Sequence, residues 1–504
     1  MLVTVRGKPT RIECGERLDV PRHFSVPAAL VLSARVDGSR LVLRALAPRG
    51  RRRVVSDAQW HARASKSLGA LALVSLDAEL APADVPLAEA ECARLLAHAY
   101  ARAPRGRRIL VVCNPAGGKG KGLRQLERHV APILAAAGCA VDIRKTERRL
   151  HARDIGRDAD LAQFDALICV GGDGTVHELV NGIAARADAA TVLRTPLVPV
   201  PSGSGNGLFV SIFGTAQGFS APLACLAAIK GDAVAHRLCV LTQPRALFDS
   251  WPAMPYAGGG ADYVQYYAFL SQAIGLIADI DLGTENWRCI GDLRFTLAYV
   301  LGTLRDRECA VDVDVLVGDA GSVDAAEMSA APAPAAAPAT QEHRLRHGTV
   351  LDPIAPNATL DPKHPHVHAG WQRLDCAVSS LYTGKLPFVS RTLMAFPYAS
   401  SGDAAVDVLV QHAGSGPMQM LRAIEQGERG HHIFTPSISY FKAEAVRITP
   451  RPATRGPHYL SIDGEAVPYG PVQIEISPLC MHVLSLDDDA HAGIGMYARP
   501  APRP

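Results

Sequence analysis

Three glycine-rich turns, at residues 114–122, 171–175 and 201–208, each close an apolar run, and they constrain the fold more than any other feature of this chain. RRILVVCNP enters the first, FDALICVGG the second and TPLVPVPSG the third. After the first comes LRQLERHVAPILAAAG, apolar at helical spacing and ending at Gly138. CAVDIRKT then reads as a further strand, and VHELVNGIAAR follows the second turn as a helix. An apolar strand, a glycine turn and a helix in repeated succession predict a parallel sheet with helices on both faces. In such a sheet ligands sit at the carboxyl ends of the strands.

The flanking regions read differently. Residues 1–105 carry short strands with Asp37-Gly38 as a hairpin turn, and predict a β-rich accessory region. Residues 106–234 form the α/β nucleotide-binding unit. From 235 the chain is strand-rich, with one helix expected over 285–305, so 235–318 and 369–490 predict a second, β-sandwich-like domain in two parts. Between them, 319–368 contains AAPAPAAAPAT and a run of histidines. Ala and Pro at that density cannot bury a core, and the segment is expected to be a disordered insertion. Residues 491–504 read as a flexible tail.

Composition narrows the function classes. Among 504 residues, 52 Lys+Arg against 49 Asp+Glu leave a net charge of +3, too near neutral for a protein that coats nucleic acid. The 11 cysteines are scattered and form no Cys-x-x-Cys pair; several lie in apolar runs, such as Cys113 and Cys169, as reduced core residues of a cytoplasmic protein do. No segment reads as a signal peptide or approaches the ~20 apolar residues of a membrane span, so any membrane contact is expected to be peripheral and reversible. The arginine clusters at 49–53 and 102–108 read as a solvated loop and a linker, with attraction to an anionic membrane surface as the alternative.

The first turn, Asn114-Pro115-Ala116-Gly117-Gly118-Lys119-Gly120-Lys121-Gly122, lets backbone N–H groups approach phosphate oxygens and adds two lysines. It lacks the spacing of a P-loop, which excludes the common ATPase and GTPase template. The second, Gly171-Gly172-Asp173-Gly174-Thr175, sets one carboxylate on a crowded turn at the mouth of the sheet. Asp173 there could merely hold the turn, with Thr175-x-x-Glu178 as a capping box. A carboxylate so placed could also take the proton of an attacking alcohol while Mg²⁺ and cationic side chains neutralise phosphates.

In this order, NPAGGKGKG, VGGDGTVHELVNG and PSGSGNGL resemble the catalytic region of the diacylglycerol kinase and sphingosine kinase superfamily. KTERRLHARDI at 145–155, FLSQAIGLIADIDLGTENWRCIGDLRFTLAYVLGTL at 269–304 and LSIDGEAV at 460–467 are similar to sphingosine kinases, the long-chain base kinases. The resemblance covers most of 107–310 and 369–487. It implies an ATP- and Mg²⁺-dependent lipid kinase that phosphorylates the primary hydroxyl of a sphingoid base. Carried onto this sequence, it makes Asp173 the catalytic base, flanked by Gly172 and Gly174 at the substrate. Asn114, Gly117, Gly118, Thr146, Gly171, Gly172, Glu178, Gly203, Ser204, Gly205, Asp463 and Glu465 become nucleotide-binding positions. Arg288 and Arg294 match arginines on ATP phosphates, and Asp281 matches the acid that reads the polar head of the base. No metal ligand is assigned, and no protein partner is implied. One departure is Gly207, where the sphingosine kinases have alanine.

Several of these positions have plainer readings. Arg288 and Asp292 are spaced as a surface ion pair on a helix, and Arg294 lies beside an apolar stripe. Asp279 rivals Asp281, because the two share one face if the segment is a strand. Asp463-Gly464 is also a hairpin-turn dipeptide. Phe269, Leu270, Ile274, Phe295 and Leu297 could line a channel for a lipid tail, and equally suit an ordinary core. The rival functions are a diacylglycerol or ceramide kinase, an NAD kinase, and a catalytically silent lipid-binding protein.

Overall fold

The computed structural model describes residues 1–504 except 6, 51–52, 64–65, 204, 252–257, 284–307, 318–344, 355, 357, 361–369, 452–458 and 487–504. Four parallel strands lie side by side in the order Ala140–Lys145, Arg108–Cys113, Ala166–Gly171, Leu197–Pro201. The apolar runs of the three inner strands are buried on both faces, as a sheet covered by helices requires, whereas the edge strand Ala140–Lys145 is largely exposed; Cys113 and Cys169 are core residues at 0% exposure. The covering helices include Asp173–Ala184 and Ala221–Lys230. The helix after the first turn starts at Gly117, earlier than the apolar periodicity indicates. It runs through a π-turn at Leu126–Val130, and Gly138 follows its end at φ +72°.

The sheet continues into the second domain. The long strand Val472–Ser485 runs parallel to Leu197–Pro201 and antiparallel to both Asp232–Pro244 and Ala445–Pro450. Facing this extension is a six-stranded sheet in the order Ile438–Ala443, Val406–His412, Val378–Gly384, Ser271–Gly275, Leu460–Ile462, Glu465–Val467. Ile474, Val446 and Val313 from one sheet share a core with Ile274, Leu381 and Phe441 from the other, which makes the β-sandwich.

Residues 1–99 are strand-rich as expected, with sheets of five and three strands and the helix Val85–Ala99. Asp37-Gly38 forms the hairpin turn. The module is fixed to the catalytic domain by Lys230, whose Nζ donates to the carbonyls of Ala29, at 2.9 Å, and Val31, and lies 4.3 Å from the Tyr100 ring centre.

The disordered insertion needs correction. Its Ala/Pro-rich part and His364, His366 and His368 lie outside the described residues, but residues 345–354 dock on the sandwich. Glu475 accepts the N–H groups of Arg346 and His347 at 2.8 and 3.1 Å, and Arg447 donates to the carbonyls of Thr349 and Asp352. Ala358–Leu360 then adds a strand to the sheet. Averaging composition over the whole segment hid these few anchoring residues. The helix expected over 285–305 lies outside the described residues.

Candidate active site

The three central strands end next to one another, so their loops meet. Ser202 N–H donates to Gly171 O at 3.0 Å, joining the third loop to the second. The first is joined through Asn114, whose Oδ1 accepts Gly117 N–H at 3.1 Å and whose Nδ2 reaches Thr175 Oγ1 at 3.4 Å. Gly118 has φ +58°, and a Cβ there would overlap the Ser202 carbonyl, so only glycine fits. Gly203 packs against Gly172, and Gly205 lies against the Asp173 carboxylate. Ser204 lies outside the described residues.

Asp173 is the first residue of its helix, with Gly172 as the extended N-cap. Its Oδ2 accepts Gly207 N–H at 2.8 Å and its Oδ1 accepts Leu208 N–H at 3.2 Å. The residue is half-buried. Burial raises its pKa to about 6, against the pull of those two N–H groups, and the nearby Asp463 charge pushes in the same direction as burial. Asp173 therefore titrates where a general base works at neutral pH. Glu465 belongs to the same site, because a Cβ on Gly174 would overlap its carboxylate.

Two expected nucleotide ligands are committed elsewhere. Glu178 is not the partner of Thr175 in a capping box, since the helix begins at Asp173 and Thr175 is already inside it. Its carboxylate accepts Leu150 N–H at 3.1 Å and Ala152 N–H at 3.2 Å, capping the helix His151–Asp158; burial nonetheless raises its pKa. Asp463 does occupy a hairpin turn, at φ +52° before Gly464 at φ +82°. Its buried carboxylate points inward. Oδ1 accepts the N–H groups of Leu270 and Ser271 at 2.9 and 3.0 Å, and Oδ2 that of Phe269 at 3.1 Å and His177 Nδ1 at 2.8 Å. With both oxygens so engaged, that side chain cannot also hold a nucleotide. Thr146 follows the outermost strand and donates its N–H to Cys113 O at 2.8 Å.

Asp279 and Asp281 lie on the helix Leu276–Gly283, not on a strand, so two positions apart they face different ways. Cys309 and Tyr469 have their pKa values raised by burial first, with the Asp279 charge adding to it, whereas Asp281 Oδ2 accepts the Ser461 hydroxyl at 2.8 Å and approaches Gly464. Of the two, Asp281 is the one beside the Asp463-Gly464 hairpin. Arg288, Arg294, Phe295 and Leu297 lie outside the described residues; Phe269, Leu270 and Ile274 are core residues.

Three hydroxyls were not singled out from the sequence. Ser271 Oγ lies 3.3 Å from Tyr382 OH, and Tyr382 is pushed above its ordinary pKa, first by burial and then by the charges of Asp281, Asp463 and Asp173. Ser202 Oγ is buried against the first loop without a hydrogen-bond partner among the described residues. A serine in a glycine loop and a tyrosine in a strand carry no local signal of such roles. Among the described residues no helix is long and apolar enough to cross a membrane.

Residues 108–240 match the diacylglycerol kinase catalytic domain, and 374–485 match the YegS C-terminal NAD kinase beta sandwich-like domain. Sphingosine kinase 1 of Homo sapiens is 30% identical over 378 residues, covering 74% of this chain and 90% of that protein. Sphingoid long chain base kinase 4 of Schizosaccharomyces pombe is 27% identical over 392 residues, 77% of each chain. Sphingoid long chain base kinase 5 of Saccharomyces cerevisiae is 26% identical over 438 residues, 77% of this chain and 61% of that one. With 30% identity to a sphingosine kinase over most of both chains and a diacylglycerol kinase catalytic domain at 108–240, the chain belongs to the sphingosine kinase family of lipid kinases, within the diacylglycerol kinase superfamily.

Proposed function

We propose that this chain transfers the γ-phosphoryl group of ATP to the primary hydroxyl of a sphingoid base (sphingosine, dihydrosphingosine or phytosphingosine), giving the 1-phosphate and ADP. The observation that carries the reading is Asp173, held by Gly207 and Leu208 N–H groups among the glycine loops and raised to a pKa of about 6 by burial. Asp173 takes the hydroxyl proton; the hydroxyl oxygen bonds to the γ-phosphorus as the bond to the β,γ-bridging oxygen breaks.

The residues fit a polyphosphate. The loops offer backbone N–H groups with no side chain in the way at Gly118, and the buried Ser202 hydroxyl is a spare donor beside them. Mg²⁺ bound with ATP would neutralise part of the phosphate charge, and Glu465, beside Gly174, is a further nucleotide position of this reading. Asn114, Gly117, Thr146, Gly171, Gly172, Gly203, Ser204 and Gly205, with Arg288 and Arg294, are the remaining nucleotide positions of this reading. Asp281 pairs with the protonated amine of the lipid head, oriented by Ser461. The protein works in the cytoplasm and meets its lipid at membrane surfaces without spanning them.

Incubation with labelled ATP, Mg²⁺ and separate vesicles of sphingosine, diacylglycerol and ceramide tests the assignment. Label in sphingosine 1-phosphate is expected; label in diacylglycerol or ceramide alone would move the chain to the rival specificity.

A further inference from the structure

The reaction just described does not explain why residue 207 is a glycine. Its N–H holds Asp173 Oδ2 at 2.8 Å, a service any residue but proline could give, and its φ is not positive. What calls for glycine is space. A Cβ at 207 would stand 2.8 Å from the Phe388 carbonyl oxygen and 3.0 Å from each Cδ atom of Leu270. The first of these neighbours is backbone, which cannot swing aside as a side chain can.

Both neighbours belong to the lipid-side domain, and they are tied together. Lys385 N–H donates to Leu270 O at 3.0 Å, next to where the strands Ser271–Gly275 and Val378–Gly384 pair with Ser271 opposite Gly384. Leu270 and Phe388 are 3% and 2% exposed, so neither has open space to retreat into. Phe388 is also fastened to the helix Gly207–Phe213. One turn along from Gly207, the fully buried Ser211 hydroxyl accepts Phe388 N–H and donates to Phe388 O, each at 3.2 Å. Asn206 makes an antiparallel bridge with Ser390, and a Cβ on Gly205 would lie 3.6 Å from Val389 O and 3.4 Å from Asp173 Oδ2. Residues 388–390 therefore run backbone to backbone along the third loop, beside the two N–H groups that hold Asp173. Leu270 in turn precedes the strand Ser271–Gly275, which leads directly into the helix Leu276–Gly283 that carries Asp281. The contact at Gly207 thus joins the support of the base to the strand that leads to the head-group acid.

We propose that Gly207 is a positioning residue: its lack of a side chain lets the lipid-side segments seat against the donors of Asp173, and so sets the separation between Asp173 and Asp281 across which the lipid's hydroxyl and amine are held. The proposal rests on the roles given to those two acids above. Gly207 touches no substrate; it acts through Asp173 and through the seating of Leu270 and Phe388. A dense interior has no room for the missing methyl, so adding it moves either the seated segments or the start of the helix, and small misplacements at a reacting centre are costly in rate.

The test compares the full chain with Gly207→Ala and Ser211→Ala, each first checked for a cooperative thermal transition. Gly207→Ala adds the methyl; Ser211→Ala keeps the space and removes the two hydrogen bonds that fasten Phe388. In Gly207→Ala, single-turnover phosphorylation of sphingosine at saturating ATP is expected to slow by about 10- to 100-fold, with the Kd for ATP, read by calorimetry, at its parent value. Amide hydrogen exchange needs no turnover and is expected to quicken over 385–390 in both variants, while the strand Arg108–Cys113 keeps its parent rates. A Gly207→Ala chain that transfers at the parent rate, or that loses ATP affinity in step with rate, overturns the proposal. So does exchange over 385–390 that matches the parent in both variants. Should Gly207→Ala fail to fold, Ser211→Ala decides by the same readouts: slowed transfer with ATP affinity kept supports the seat, and transfer at the parent rate overturns it. If the parent chain phosphorylates no sphingosine, the proposed function fails instead, and the exchange over 385–390 decides the seat.

Discussion

Replacing Asp281 by asparagine separates a kinase that reads an amine from one that does not. The side chain is half-buried, and Oδ2 accepts the Ser461 hydroxyl at 2.8 Å, which the asparagine carbonyl can still do. The exchange therefore removes charge while keeping shape and the hydrogen bond to the Leu460–Ile462 strand. A hydrogen bond to a charged group is worth about 1.5–3 kcal/mol, and each 1.4 kcal/mol is tenfold. Asp281→Asn should thus lower kcat/KM for sphingosine by about 10- to 150-fold. Any phosphorylation of diacylglycerol, which has no amine, should change by less than about threefold, as expected for a surface-scale effect. The assay is initial velocity against lipid mole fraction in mixed micelles at saturating ATP, with the thermal midpoint of each protein measured alongside. Equal losses for the amino and the neutral lipid would refute head-group recognition by Asp281.

Three further outcomes follow from the same geometry. Asp173 must be unprotonated to act as base, and with its pKa raised to about 6, activity is expected to fall towards acid pH below that value and to level off above it; a limb at the ordinary carboxylate position, read from kcat/KM against pH, would contradict the burial argument. Glu178→Ala removes the acceptor of two N–H groups at the start of the helix His151–Asp158, and should cost about 1–3 kcal/mol in denaturant unfolding while leaving KM for ATP near its original value. A selective rise in that KM would return Glu178 to the nucleotide. Lys230→Met strands the carbonyls of Ala29 and Val31, and faster limited proteolysis of the N-terminal module is expected, with unchanged cleavage as the contrary result.

The parts legible in sequence are those set by neighbours along the chain. Apolar strands ending in glycine turns, with a helix after each, gave the parallel sheet and the loops at its mouth, because burial and turn chemistry act over a few residues. Asp173 stood out because a capping pattern alone does not call for glycines on both sides of an acid. The misreadings involve distant partners. Thr175 and Glu178 satisfy a capping pattern locally, yet the helix starts at Asp173, and Glu178 serves backbone groups 26 and 28 residues away. Asp463 is a turn residue by sequence, but its partners Phe269–Ser271 are separated from it by 192 to 194 positions. The run around Asp279 and Asp281 is too short for periodicity to tell helix from strand. Ser271, Tyr382 and Ser461 are common residues in ordinary strands; only the fold brings them to the site.

The central claim is that Asp173 draws the proton from a sphingoid alcohol as the γ-phosphoryl group transfers. The direct measurement is single-turnover phosphorylation of sphingosine by the full chain and by Asp173→Asn, with ATP binding measured on both. The account predicts an unchanged ATP affinity and a loss of about 10²- to 10⁴-fold in the chemical step. Phosphorylation at the original rate by Asp173→Asn would contradict it.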